Sequence, residues 1–188
     1  MDVVMAIMND HRVLEGLFAE LHAGKGDRAV LVAEVRARLL AHSRAEERQV
    51  YSVLARVLPA EVAQAYQGAH EHRQAEERLA AVESATPEEF PRALAEFVAV
   101  VGRHVAEEEA GILPALRQAM SLRKRDELGR RFEAHRLREL KHAGIDDSLT
   151  KEDLYILAQR AGIPGRSSMS KEELARALLA RRLGRPTS

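Results

Sequence analysis

The chain has 188 residues, a length typical of one domain or of one domain with a small appendage, and its formal net charge is zero. The absence of cysteine excludes disulfides, iron–sulfur clusters and zinc sites built from thiolates. Hydrophobic residues make up 46% of the sequence and aromatic residues only 4%, and the strong helix formers alanine, leucine, arginine and glutamate dominate. We therefore expect an all-α protein with a globular core.

Hydrophobic periodicity predicts four helices in the first 120 residues, separated by glycine, proline and capping residues. The first helix covers residues 3–22 and is broken near Gly24. The expected bounds of the next three are Asp27 to Leu58, Ala60 to Ser84, and Thr86 to a kink or stop at Pro114.

A fifth, heavily charged helix is predicted over residues 122–142, with Gly144 as its stop. Two short helices follow, beginning at Thr150 and at the capping box of Ser170, with an extended connector between them. Residues 121–188 hold 16 Lys and Arg against 10 Asp and Glu, so the front of the chain is acidic and the rear is basic. This asymmetry suggests two functions in one chain.

No apolar run approaches the length of a membrane span, and the first residues show neither a basic leader nor a cleavage-site pattern. We therefore expect a cytoplasmic protein with no membrane partner.

Each of the first four helices carries a histidine followed four residues later by a glutamate. The pairs are His11/Glu15, His42/Glu46, His72/Glu76 and His104/Glu108. The histidines are 31, 30 and 32 residues apart, which is one helix plus one turn, so an up-down-up-down bundle brings all four pairs to one level. Imidazole and carboxylate groups converging in a bundle core are the ligands of a transition-metal site, above all a di-iron one.

The first two helices resemble the second two. DHRVLEGLF (10–18) recurs as EHRQAEERL (71–79), and HSRAEERQVYSVL (42–54) recurs as HVAEEEAGILPAL (104–116). This pattern indicates two similar hairpins, each supplying half of a binuclear site. A further pair, His135/Glu139, lies among arginines and is interpreted as a surface pair, while His22 and His142 fall near helix ends.

Residues 1–142 resemble the hemerythrin-like family, the histidine–histidine–glutamate cation-binding domain, through the opening DHxxxxxLF, the two HxxxEE segments and the EHxxxxxxL between them. The resemblance implies a non-haem di-iron four-helix bundle over residues 1–143, with oxo- and carboxylate-bridged iron ions. It further implies His11, His42, His72 and His104 as terminal ligands, and Glu46 and Glu108 as bridging ligands.

The sequence departs from the oxygen-carrying hemerythrins at two positions. Glu76 stands where they have a histidine, and Glu109 stands where they have an aspartate. The position missing a nitrogen ligand is open to water or peroxide, or is filled by one of four further candidates, Glu76, Glu15, Tyr51 and Tyr66. For Glu15 and Glu76 we favour a position that faces solvent or supports a ligand from behind. We expect the same of Glu47, Glu107 and Glu109, and we expect His70 to point away from the site.

The resemblance leaves three classes of function open. The first is a protein that binds or reduces peroxide, nitric oxide or oxygen, including an oxidoreductase that consumes peroxide or nitric oxide. The second is a sensor of oxygen, nitric oxide or iron whose tail binds nucleic acid. The third is a passive store of oxygen or iron.

The tail carries LTKEDLYILAQRAGIPGRSSMSKEEL, which resembles the helix–extended–helix domain at the front of the transcription terminator Rho and similar SAP-like modules appended to bacterial Ku proteins. The resemblance implies a second module over residues 147–184 and an association with nucleic acid. Lys151, Arg166 and Lys171 are the first candidates for phosphate contacts. A solvated basic surface and an oligomerisation tail are the alternatives.

Overall fold

The computed structural model describes residues 1–57 and 62–186 of the chain, and all regular structure in these two ranges is helical. The elements are α1 (Val3–His22), α2 (Arg28–Ala45), a π-helical turn (Glu46–Tyr51), α3 (Ser52–Val57), α4 (Val62–Ser84), α5 (Phe90–Ala110), α6 (Ile112–Ala119), α7 (Leu122–Ala143), α8 (Lys151–Arg160), a 3-10 turn (Arg166–Ser168) and α9 (Lys171–Arg182). The predicted all-α class is confirmed. The expected end of the second helix at Leu58 and start of the third near Ala60 lie outside the described residues.

Four of these helices form the bundle. α1 packs on α2, α4 packs on α5, and the two hairpins meet through α1 with α5 and through α2 with α4. None of the helices in the described ranges has the length and apolarity needed to cross a membrane.

Two apolar clusters fill the bundle, one at each end. The first contains Ile7, Val50, Leu54, Leu113 and Leu116 with their neighbours, and the second contains residues such as Leu14, Leu39, Leu79 and Phe97. Along the chain, the predicted ligand residues lie where the contributions change from one cluster to the other, as at His11 between Ile7 and Leu14. The core is thus divided by one polar layer, and apolar packing on both sides fixes the helices that carry it.

The fourth predicted helix differs from expectation at both ends. The hydrogen bonds expected at Thr86 are present, since its hydroxyl accepts from the backbone of Glu89, but helical geometry starts only at Phe90. At the other end the break occurs at Gly111, three residues before Pro114. Pro114 lies in the first turn of α6, where its missing N–H costs no helical hydrogen bond.

The predicted fifth helix is α7, which packs across α1 and α2. Gly129 permits close approach to the start of the chain, because a Cβ at this position would lie 2.9 Å from the backbone nitrogen of Val3. Phe132 is fully buried against the bundle. α7 therefore covers the outer face of the first hairpin.

The tail, residues 147–186, folds against the bundle. Both of its helices begin with the reciprocal bonds of a capping box, at Thr150 and, as predicted, at Ser170. Its own small core consists of Leu154, Ala158, Ile163 and Leu174. A separate apolar seam joins α9 to α2 and the end of α7, formed by Val30, Ala37, Ala41, Leu140, Ile145, Leu179 and Ala180.

Candidate metal centre

Six titratable side chains form the polar layer between the two apolar clusters. They are His11, His42, Glu46, His72, His104 and Glu108, and none is more than 6% exposed. The structure thus brings together all six residues that the sequence proposed as metal ligands.

Within this layer, a histidine of each hairpin contacts the central glutamate of the other hairpin. Nε2 of His11 lies 3.3 Å from Oε2 of Glu108 in the second hairpin, and Nε2 of His72 lies 3.3 Å from Oε2 of Glu46 in the first. The same Glu46 oxygen is 3.5 Å from Nε2 of His42 and 4.0 Å from Nε2 of His104. All four Nε2 atoms therefore face the carboxylates at the centre of the layer.

The other ring nitrogen of each histidine faces a second carboxylate. The Nδ1–oxygen distances are 2.9 Å for His11 with Glu109, 2.9 Å for His72 with Glu47, 2.9 Å for His104 with Glu71, and 3.5 Å for His42 with Asp10. In the three contacts at 2.9 Å the ionised carboxylate can only accept, so Nδ1 donates and the lone pair of a neutral ring is left at Nε2. This carboxylate–histidine arrangement is the one that orients imidazoles towards metal ions.

The four carboxylates that face the Nδ1 atoms, here called the bracing carboxylates, follow the internal repeat of the sequence. Asp10 and Glu71 each precede the first histidine of their hairpin and reach the second histidine, whereas Glu47 and Glu109 each follow a central glutamate and reach the opposite hairpin. The sequence alone indicates Glu47 and Glu109 as supporting or surface groups and does not identify Asp10 or Glu71. The acidic residue before each repeated histidine, in DH and in EH, was the available signal.

The charges in the layer are strongly coupled. Burial disfavours the charged form of His11 and His72, but the facing glutamates outweigh burial and raise the pKa of each to about 9. Burial and the charge of His72 lower the pKa of His104 to about 4, so Nε2 of His104 accepts the hydrogen bond that Nε2 of His72 donates at 3.1 Å. Burial and the neighbouring carboxylate of Glu108 raise the pKa of Glu46.

The layer fits a bound cation because its inward atoms lack other partners. Among residues 1–57 and 62–186, no hydrogen bond reaches Nε2 of His11, Nε2 of His42, Oε1 of Glu46 or either carboxylate oxygen of Glu108. Buried polar atoms without partners are costly unless something compensates them. Two groups of residues could each hold a cation, His42/Glu46/His72/His104 and His11/His42/Glu108. Within each group the ligand atoms lie within 4.8 Å of one another, and His42 belongs to both groups.

Tyr51 reaches the layer through the π-helical turn. The wider turn places Tyr51 on the same side as Glu46, five residues earlier, and its hydroxyl donates to Oε2 of Glu46 at 3.4 Å. The Tyr51 ring stacks on the His72 ring at 5.9 Å with an interplanar angle of 7°. Burial and the carboxylate of Glu46 raise the pKa of Tyr51, so the phenol keeps its proton.

The other three candidates for an additional ligand lie away from the centre. Tyr66 is 75% exposed, Glu76 is exposed, and Glu15 is exposed and paired with Arg12. His70 points to solvent and His135 pairs with Arg138 and Glu139 on α7. Of the four additional candidates, the structure thus brings only Tyr51 to the centre.

The tail cations that the sequence proposed for nucleic-acid contact are partly engaged within the chain. Lys151 is exposed, whereas Lys171 donates to the backbone oxygen of Asp147. Arg166 donates to the backbone oxygen of Ile163 and lies over the ring of Tyr155.

A cavity of about 330 Å³ between α4 and the α5–α6 junction reaches the centre from the surface. Its exposed lining includes Gln64, Gln67 and Glu107, and its buried lining includes Glu71, His104 and Glu108. A small molecule therefore has a route to two of the six central residues.

Residues 2–116 match the model of the hemerythrin HHE cation binding domain, a region that holds all six central residues and their four bracing carboxylates. The chain belongs to this family. The hemerythrin match ends before α7, so α7 and the tail lie outside the matched residues. No curated protein and no solved structure gives a significant match.

Proposed function

We propose that the protein is a binuclear non-haem iron protein of the hemerythrin HHE family that binds or reduces a small ligand, namely peroxide, nitric oxide or oxygen. The observation that carries this proposal is the buried layer of four imidazoles and two carboxylates whose inward atoms lack other partners. The hemerythrin family membership supports a cation there, and the donor set and the cavity support the rest.

The donor chemistry favours iron. Four imidazoles and two carboxylates form a mixed nitrogen and oxygen donor set of the kind that non-haem iron accepts, whereas magnesium and calcium prefer all-oxygen sets and iron–sulfur clusters need thiolates. His11, His42, His72 and His104 would provide the nitrogens, and the carboxylates of Glu46 and Glu108, one in each group of donors, would provide the oxygens. When bound, two iron ions would supply electrons and Lewis acidity for the reduction of the small ligand.

The residues of the chain would orient the ligands, control protons and exclude water. The Nδ1 braces hold each imidazole with Nε2 inward. The Tyr51 hydroxyl holds a proton next to Oε2 of Glu46, where it can move to a ligand that gains negative charge. The two apolar clusters shield the layer from bulk water, which strengthens these electrostatic interactions.

The donor count leaves room for an exogenous ligand. Six protein residues do not saturate two octahedral ions, and Glu76 is on the surface, so it does not replace the nitrogen ligand of the oxygen carriers. The cavity that reaches His104 and Glu108 provides the approach. We therefore favour turnover of a ligand such as peroxide over passive storage of oxygen or iron.

Elemental analysis and near-ultraviolet absorption of the purified protein test the metal centre. We expect about two irons per chain, as for other carboxylate-bridged bundles, with an oxo-to-iron charge-transfer band. His104→Ala should lose the iron, while His135→Ala, which removes a histidine with the same i, i+4 glutamate on α7, should retain it. A single zinc per chain without such a band, or full iron content in His104→Ala, would contradict the proposal.

A second candidate function is a sensor whose tail binds nucleic acid. Lys151 and Arg160 are exposed at the two ends of α8, which favours weak, sequence-independent phosphate contact. Fluorescence anisotropy with short duplex and single-stranded oligonucleotides should show affinity that falls linearly on a log–log salt plot and is weakened by Lys151→Gln/Arg160→Gln. Equal binding by the wild type and this double variant would contradict it.

A further inference from the structure

We propose that Arg136 of α7 and Asp147 of the tail are positioning residues for the metal ligand His42, acting through Asp10. Both lie outside the family-matched residues 2–116. This inference rests on the proposed metal centre. It gives α7 and the tail, which lie outside the matched residues, a role in positioning a ligand of the proposed metal centre.

The brace on His42 differs from the other three. Nδ1 of His42 is 3.5 Å from Oδ2 of Asp10, whereas the other three bracing distances are 2.9 Å. Neither of these two atoms has a hydrogen bond in the described part of the chain. The carboxylate of Asp10 therefore needs a second contact to hold Oδ2 towards the imidazole.

Arg136 supplies that contact. Its Nε lies 3.4 Å from Oδ1 of Asp10, the oxygen that does not face His42. The side chains of Arg136 and Asp10 are only 12% and 13% exposed, so solvent screens this pair weakly. One turn earlier on α7, the ring of Phe132 meets the ring of His42 edge to face at 6.0 Å. α7 thus contacts His42 directly and through Asp10.

Glu133 on α7 accepts hydrogen bonds from Nε and Nη2 of Arg136 at 3.0 and 2.9 Å, and Asp147 contacts the remaining nitrogen of the guanidinium. Oδ2 of Asp147 is 3.3 Å from Nη1 of Arg136 and 2.9 Å from Nη1 of Arg38, so the carboxylate is clamped between α7 and α2. Lys171, at the start of α9, donates to the backbone oxygen of Asp147. A continuous series of polar contacts therefore runs from the tail through Asp147, Arg136 and Asp10 to His42.

The same bundle contains a matched pair without this connection. Arg125, also on α7, binds Asp2 at the start of α1 through Nε and Oδ2 at 2.7 Å. Its exposure, 16% with 15% for Asp2, is close to that of the Arg136–Asp10 pair. Both pairs join α7 to α1 or its cap, but the carboxylate of Asp2 binds the backbone nitrogen of Val4 and no histidine. Arg125→Gln therefore reproduces the structural cost of losing such an arginine.

The experiment measures Co²⁺ binding to the full chain by competition with a chelator, together with the visible d–d spectrum and the thermal unfolding midpoint. We expect Arg136→Gln and Asp10→Asn to weaken Co²⁺ binding by about 10- to 100-fold and to change the spectrum, as loss of a group behind a metal ligand does. Arg136→Lys should recover part of the affinity. Asp147→Asn, which changes the residue farthest from His42 in this series, should also weaken Co²⁺ binding, but by a smaller factor. It replaces Arg136→Gln as the test variant if Arg136→Gln does not fold.

The control separates positioning from stability. Arg125→Gln should lower the unfolding midpoint and leave Co²⁺ affinity and spectrum at their wild-type values. Wild-type affinity and spectrum in Arg136→Gln and Asp147→Asn, or equal losses in Arg125→Gln, would overturn the inference while leaving the metal centre intact. A wild-type chain that binds no Co²⁺ would instead refute the metal centre on which the inference rests.

Discussion

Glu71 lies next to His72 in the chain, yet its carboxylate accepts from Nδ1 of His104 on the neighbouring helix at 2.9 Å. The amide of Gln67, one turn earlier on α4, donates to the other oxygen of the same carboxylate at 2.8 Å. Each central histidine is in this way fixed by a group from a different helix. The geometry of the layer therefore depends on the correct packing of the whole bundle, not on any one HxxxE segment.

This relationship predicts that Glu71→Gln weakens metal binding by about 10- to 100-fold, because the brace that fixes the tautomer of His104 is lost. The measurement is metal affinity by chelator competition in both proteins. Glu76→Gln is the matched control, since Glu76 lies on the same helix and is exposed. Unchanged affinity in Glu71→Gln would show that the brace does not matter for binding.

Much of the site could be predicted because its signal is local and repeated. The i, i+4 pairs and their spacing near 30 residues identify His42, Glu46, His104 and Glu108 without any tertiary information, and the structure places all four in the layer. Glu15 and Glu76 satisfy the same pairing rule and lie on the surface. Spacing alone does not state which side of a helix faces the core.

The rest depends on tertiary contacts that spacing does not encode. The π-helical turn changes the helical register after Glu46 and brings Tyr51 to the centre. The sequence of that segment does not predict a π-helical turn. The break at Gly111 instead of Pro114 likewise reflects how α5 and α6 pack. The contacts between the tail and the bundle are also long-range: Arg176 binds Glu20 and Glu34, residues far away in the sequence. These pairs show that part of the basic rear neutralises the acidic front within the chain.

Gly68 on α4 gives a prediction about Tyr51. A Cβ at Gly68 would collide with the Tyr51 hydroxyl and lie 3.0 Å from Cζ, so Gly68→Ala should displace the ring and destabilise the protein by about 1–3 kcal/mol. Gly102→Ala on α5, where a Cβ meets open space, should instead stabilise by up to about 1 kcal/mol. Chemical denaturation measures both changes.

A double variant sharpens this comparison. Tyr51→Phe removes the hydroxyl that a Cβ at Gly68 meets first, so the cost of Gly68→Ala should be smaller in the Tyr51→Phe background. The same cost in both backgrounds would show that Gly68 is needed for a reason other than Tyr51.

Asp147 predicts a pH-dependent contribution to stability. Burial opposes ionisation, but Arg38 and Arg136 outweigh it and hold the pKa of Asp147 below its ordinary value of 3.8. A carboxyl whose pKa is lower in the folded state stabilises the fold above its unfolded pKa, and this contribution is lost as the pH falls through the folded pKa.

Asp147→Asn should therefore cost about 1–3 kcal/mol at pH 7, and the difference from wild type should shrink as the pH falls below about 4. Urea denaturation of both proteins across this range measures it. Glu152→Gln is a control for the tail, since Glu152 is an exposed carboxylate in the first turn of α8. A difference between wild type and Asp147→Asn that is constant with pH would contradict the ion-pair role.

The last prediction concerns turnover, and it follows from the proposed function. The resemblance to hemerythrins implies a histidine ligand of the oxygen carriers where this chain has Glu76, and Glu76 is exposed. The cavity is lined by His104 and Glu108. We expect the iron-loaded protein to consume peroxide over many turnovers and the reduced protein to form no stable oxygen complex. Tyr51→Phe should retain its iron but turn over peroxide more slowly, because the proton next to Glu46 is removed with little change in volume.

Stopped-flow absorption with peroxide, and oxygen titration of the reduced protein, measure these outcomes, with His104→Ala as the variant without an intact centre. A stable, reversible oxygen complex without peroxide turnover would favour the store over the enzyme. If Tyr51→Phe turns over peroxide at the wild-type rate, Tyr51 does not donate the proton, and its contact with Glu46 serves packing alone.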